Sequence, residues 1–175
     1  MSRIVGFVGS RSLPSSFAPF VSSLVSAFLA RGFRVASGGA MGADEFALSA
    51  VVSQGSSASG VVFSAWSSAC GLPSSVRPTV SRFIASGGQV VWGPASAGAS
   101  RQSAVSALLG RNQRLVSACS CLVAFLHGPS RGTLFTVRRA VRRGIPVYVF
   151  LCGGGAFLPS NLAPGCLVIS KKEVV

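Results

Sequence analysis

LVAFLHGPSRGT, Leu122 to Thr133, is a run of apolar residues that passes directly into a turn of glycine, proline and serine. A short, continuous apolar run bounded by turn residues reads as a strand buried on both faces. Behind it, Thr133 to Arg143 reads as a helix closed by Gly144, and Pro146 to Leu151 returns as a second strand. Strand, helix and strand in this order make a βαβ unit. Its strands are parallel and its crossover right-handed, because the twist of the strands packs the helix back onto the sheet only that way.

The same alternation extends towards the N-terminus. Arg3 to Val8 is a buried strand ending in the turn Gly9-Ser10-Arg11-Ser12. Phe17, Phe20, Val21, Leu24, Val25, Phe28 and Leu29 recur at helical spacing, so Phe17 to Ala30 is an amphipathic helix stopped at Arg31-Gly32. Phe33 to Ala36 is a strand, Ser37 to Gly42 a glycine turn, and Ala43 to Val52 a helix. Val61 to Phe63 gives a third strand and Gln89 to Trp92 a fourth. Between them, Ser64 to Pro78 reads as a loop and Val76 to Ser86 as a short helix. Gly93 to Ala99 is a flexible link. Ser100 to Ala118 is a helix weakened by Gly110, because glycine loses more backbone freedom than any other residue there. After Leu151 come a Pro-bearing loop, the short strand Leu167 to Ile169 and the charged end Lys171-Lys172-Glu173. The expectation is one α/β domain over residues 1–175, a Rossmann-like, mostly parallel sheet with helices on both faces. It carries an irregular segment at about 64–100 and a C-terminal tail, 152–175.

The chain holds 16 Lys+Arg against 3 Asp+Glu, a formal charge of +13, and all but two of the cations are arginine. Arginine presents a planar fork that matches phosphate, so anionic partners are expected. Arginine bias with few acids also fits a compositional origin. Five cysteines without CxxC spacing, and a single histidine, His127, suggest neither a disulfide framework nor a zinc site. No metal and no required cofactor are expected. Despite a mean hydropathy of +0.59, no apolar stretch approaches the roughly 20 residues of a membrane span. No signal peptide is evident either, and the expected location is the cytoplasm, with no membrane partner.

In a sheet of this kind ligands bind outside the carboxyl ends of the strands, and three loops fall there. Gly9, Ser10 and Arg11 form the first, a site for phosphate or a solvated turn. Gly38, Gly39 and Gly42 open the second helix, where Asp44 is either a first-turn acid favoured by the helix dipole or, with Glu45, a carboxylate pair for a ribose hydroxyl or water. Arg131, Gly132 and Thr133 follow the buried strand and form the strongest anion site, although Thr133 also suits a plain N-cap. The loop lacks the Gly-Lys-Ser/Thr ending of a Walker A motif. Arg111 and Asn112 add long donors on the preceding helix. Arg138, Arg139, Arg142 and Arg143 form the densest cationic patch, either a solvated helix face or a contact for nucleic-acid phosphates.

Taken in order, Gly9-Ser10-Arg11, Ser37 to Asp44, Arg111-Asn112-Gln113-Arg114 and Arg131-Gly132-Thr133 resemble the Smf/DprA and Lonely Guy (SLOG) superfamily, over most of residues 3 to 150. The chain looks closest to the YAcAr-type branch and to the Rossmann core of DNA-processing protein A. The resemblance implies that these motifs line one pocket, that the ligand is a nucleotide or nucleoside derivative and, in the DNA-processing branch, single-stranded DNA. Lonely Guy enzymes carry a catalytic glutamate in P-G-G-x-G-T-x-x-E; here that position is Thr136, which cannot act as a carboxylate acid or base.

The leading expectation is a protein that binds a nucleotide or nucleoside phosphate. The alternative is single-stranded DNA or RNA binding, with Trp66 and Trp92 considered as stacking partners. A third reading is N-glycosidic or phosphate hydrolysis by Asp44 or Glu45. A homodimer is expected.

Overall fold

A computed structural model describes residues 3–170; the charged end Lys171-Lys172-Glu173 lies outside the described residues. Seven strands alternate with five helices: β1 (Ile4–Gly9), α1 (Ala18–Ala30), β2 (Arg34–Ser37), α2 (Ala43–Ser53), β3 (Gly60–Phe63), α3 (Arg77–Ala85), β4 (Gln89–Val91), α4 (Arg101–Ala118), β5 (Cys121–Leu126), α5 (Arg131–Arg142), β6 (Val147–Leu151) and β7 (Leu167–Ser170). All pair in parallel in one sheet of order β4-β3-β2-β1-β5-β6-β7. The fold is the expected Rossmann-like α/β sheet.

β5 shows why both faces are covered. All six of its residues are buried. Cys121, Val123 and Phe125 join the core packed by α1, α2 and α3, whereas Leu122, Ala124 and Leu126 join the opposite core, packed by α4 and α5. Side chains alternate across a strand, so an unbroken apolar run requires helices on both sides. Phe7, Phe125 and Phe150 stack across β1, β5 and β6 on the first face.

The chain builds outwards from β1 through β2, β3 and β4, then α4 carries it to the other side of β1, where β5, β6 and β7 follow. The order reverses between β1 and β5. Their connections diverge at the carboxyl edge and leave a crevice there.

Several expectations change in detail. α5 begins at Arg131, two residues before Thr133, and Ser130 occupies the cap position. Thr133 is therefore a first-turn residue and not the N-cap. The loop expected over Ser64 to Pro78 contains a 3-10 turn at Ala69–Gly71 and ends where α3 starts, with Pro78 in the first turn, where its missing N–H has no partner to lose. Tertiary packing fixes this stretch: Leu72 and Val76 are buried in the first core. In the tail, Leu167–Ser170 pairs with Tyr148–Leu151 and extends the sheet by one strand.

Candidate functional site

A cavity of about 770 Å³ opens at the carboxyl ends of β1 and β5. Its walls come from the loop after β1 (Gly9 to Ser12), the start of α5 (Ser130 to Thr133) and one face of α4. Three of the four sequence motifs thus meet on one surface, and the fourth contributes Ala40 and Asp44.

Its floor is an ion pair. Asp44, in the first turn of α2, and Arg111, on α4, are 3% and 6% exposed, and Arg111 Nη1 lies 3.3 Å from Asp44 Oδ2. The same carboxylate oxygen accepts the Gly38 N–H at 2.9 Å. Burial pushes the Asp44 carboxyl above its ordinary value, opposed first by Arg111 and then by the backbone N–H groups of Gly38, Ala40 and Gly9. Burial likewise pushes Arg111 down, opposed by Asp44. A charge leaves water only when partnered, and here each group is the other's partner.

The glycines of the second loop support this floor without lining the cavity. A Cβ at Gly38 would overlap Arg111 Nη1, so only glycine lets the guanidinium cross to Asp44. Gly42 has φ 75, and a Cβ there would collide with the Ser10 carbonyl oxygen. Gly39 is held at φ 66 beside Val62. Ser10 ties the first loop to β5: its N–H donates to Phe125 O and its Oγ accepts the His127 N–H, each at 2.9 Å.

The start of α5 is open. The first bond into this helix runs from Leu134 N–H to Ser130 O at 3.0 Å, and no side chain caps the turn. The N–H groups of Arg131, Gly132 and Thr133 precede that bond, as the leading donors of any helix do. Thr133 Oγ1 lies 2.7 Å from Ser130 Oγ. Thr136, at the glutamate position of the Lonely Guy motif, is buried on the wall and donates to Gly132 O at 3.0 Å.

Of the cationic patch, Arg138 lines the cavity and the other three do not. Arg139 lies over the Phe135 ring and donates to Gln113 Oε1. Arg143 donates to the Val116 and Cys119 carbonyl oxygens, and Arg142 is exposed. The patch divides because Arg139 and Arg143 sit about 100° around the helix from Arg138 and Arg142 and reach α4 and its C-terminal end. Asn112 lies on the cavity wall, whereas Glu45 lies outside the lining; burial raises its carboxyl above the ordinary value. Trp66 and Trp92 are half-buried and packed against the first core. Among the described residues no group of three His, Cys, Asp or Glu gathers to hold a metal, and no helix is long and apolar enough to cross a membrane.

Sequence reasoning missed the apolar wall. Val105, Leu108 and Leu109 line the cavity, with Val105 48% and Leu109 38% exposed. With Leu115 and Val116 they recur at helical spacing, which marks a helix without saying what its apolar stripe faces. Local spacing held no signal for this, because Val105 and Leu109 share one stripe with the buried Val116. Arg114 of the same motif turns elsewhere and donates to Ser64 O at 2.7 Å and Trp92 O at 3.2 Å, fastening α4 to the ends of β3 and β4.

Residues 1–168 match the family described as DNA recombination-mediator protein A. The chain belongs to this family. Among solved structures, DNA processing protein A from Helicobacter pylori, described with a single-stranded DNA binding mode, is similar at a TM-score of 0.72 and 16% identity, covering 96% of this chain and 74% of that one. DNA processing protein A (DprA) from Streptococcus pneumoniae gives 0.67 and 16%, covering 97% and 58%. The structure of TM1055 gives 0.60 and 17%, covering 100% and 94%. At these identities the structures share the fold with this member of the DNA recombination-mediator family. No curated protein matches the chain.

Proposed function

We propose that this DNA recombination-mediator family member binds single-stranded DNA, and that the cavity between α4 and α5 holds the phosphate and base of one nucleotide of the strand. The observation that carries this reading is the composition of the cavity wall. Arg11, Arg111, Arg131 and Arg138 line it, and its one carboxylate, Asp44, is committed to Arg111. Beside the cations lies the apolar shelf of Val105, Leu108 and Leu109. Phosphate contacts give strand affinity, and an apolar surface takes the face of any base. The family and the Helicobacter protein's single-stranded DNA binding point the same way.

A free nucleotide or nucleoside phosphate is a second reading, favoured by a volume of about 770 Å³, which falls within the range of roughly 300–1,000 Å³ for small-ligand pockets. Hydrolysis has less support: Asp44 is buried in its ion pair, Glu45 lies outside the lining, and Thr136 occupies the glutamate position. Fluorescence anisotropy of a labelled oligothymidylate, against thymidine monophosphate at two salt concentrations, tests these readings. Strand binding several-fold weaker at high salt supports DNA; tight, salt-insensitive mononucleotide binding with weak strand binding overturns it. The expected dimer is supported by the exposed apolar edge strand β7, where Leu167 is 57% exposed, and sedimentation velocity tests it.

A further inference from the structure

We infer that the strand continues from the cavity over α4 into a groove on the outer flank of that helix, where neutral side chains hold its next base and Arg139 holds the phosphate at the crossing. The inference rests on the cavity being the DNA site and gives the strand its path out of it.

The first observation is the groove itself. It measures about 1240 Å³ and lies between α4, Phe63 at the end of β3 and the Pro94-Ala95 stretch after β4. Gln102, Ser106, Gly110, Gln113 and Ser117 form its α4 wall. A helix face of serine and glutamine is ordinarily convex and solvated; here the stretch after β4 closes the other side and makes it concave. Among the described residues no carboxylate lines the groove, and its one cation, Arg114, is committed to the Ser64 and Trp92 carbonyl oxygens. Hydroxyls and carboxamides both donate and accept, which suits the edge of a base, whereas no uncommitted charge is left for a phosphate.

The second observation is continuity. Ser106 and Gly110 follow Val105 and Leu109, which wall the cavity, and lie about 100° further round the same helix. Crossing a helix of roughly 10–12 Å diameter takes few nucleotides, since even the stacked strand of a duplex advances roughly 3.4 Å at each. The third is Arg139. Its guanidinium lies over the Phe135 ring, 5.4 Å from the ring centre, and donates to Gln113 Oε1 at 3.3 Å. Phe135 lines the cavity and Gln113 lines the groove, so this arginine stands between the two. It has no carboxylate partner among the described residues, and a guanidinium with five N–H donors keeps several for a phosphate oxygen. A cation at the crossing and neutral groups beyond it match the alternation of phosphate and base along a strand.

The test is competition against a labelled oligothymidylate by thymidine monophosphate and by unlabelled oligothymidylates of increasing length. Parent affinity is expected to rise about tenfold over the first added nucleotides. Ser106→Trp fills the groove from an exposed helix position; it is expected to lose most of that rise with the salt slope unchanged. Arg139→Gln is expected to bind the longer strands a few-fold more weakly and to lower the salt slope by about one phosphate's share, which a role in fastening α5 to α4 alone would not do. In spectra of the ¹⁵N-labelled chain the side-chain amides of Gln102 and Gln113, assigned by their loss in Gln102→Met and Gln113→Met, are expected to shift with the oligonucleotide and to stay still with the monophosphate. Strand binding that does not strengthen with length, or Ser106→Trp binding the longest strand as tightly as the parent, overturns the path and leaves the DNA reading. Amide signals that move with protein concentration in the absence of DNA overturn it in favour of a second copy in the groove. If the parent binds no strand, the DNA reading fails and takes the path with it.

Discussion

Arg143 stands one residue beyond α5 and donates to the last carbonyls of α4, at Val116 and Cys119. It fastens two helices by their C-terminal ends, where unpaired carbonyls attract cations. Arg143→Ala is therefore expected to lower stability by about 1–2 kcal/mol in urea denaturation and to leave the salt slope of strand binding unchanged, whereas Arg138→Ala reduces that slope with little loss of stability. Cys119 makes a second case. Burial pushes its thiol from the ordinary 9.0 up to about 12, while Cys70 is exposed. At pH 8 native protein should alkylate at Cys70 long before Cys119, as peptide mapping would read. The sign for stability follows. Below pH 9.0 both folded and unfolded thiols are protonated, and between 9.0 and about 12 the unfolded one ionises first, so this contribution is lost as pH rises. At this scale the sequence was only partly legible. Gly38, Asp44 and Arg111 stood out by type, yet a residue type does not say that Asp44 faces Arg111 instead of a ribose. That pairing joins positions 67 residues apart.

The elements were legible almost throughout, because each carries its period or its punctuation locally. β5 declared itself by an unbroken apolar run and α1 by its helical spacing. The start of α5 was misplaced by two residues because the hydroxyl of Thr133 and that of Ser130 are equally good caps on paper. α4 shows where local reading ends. The first half of its apolar stripe, Val105 and Leu109, lies in line with the buried Val116 and is nevertheless a cavity wall. Gly110, expected to weaken this helix, has open space where a Cβ would go. Gly110→Ala is expected to stabilise the protein by about 0.5–1 kcal/mol, measured as a raised urea midpoint with an unchanged m value; a lowered midpoint would show that this glycine has a packing role.

For the whole molecule, the reversal of strand order between β1 and β5 sets the place of the site, and composition sets its charge. The strand order comes from the structure, whereas the parallel sheet covered on both faces was inferable from the βαβ alternation. The distribution of arginines was not, since a charge of +13 gives a total without saying which cations share a wall. Some serve the fold, as Arg114 and Arg143 do by fastening helices. Others, Arg11, Arg131 and Arg138, surround the cavity. The central claim is that strand binding depends on where the charge lies and not on its amount. Charge-matched variants test this most directly. Oligothymidylate anisotropy is compared for Arg11→Ala/Arg131→Ala and for Arg31→Ala/Arg82→Ala, whose arginines are exposed and outside the cavity lining. The account predicts that the cavity pair loses at least tenfold in affinity while the distant pair loses about twofold or less. Equal losses from both pairs would contradict it.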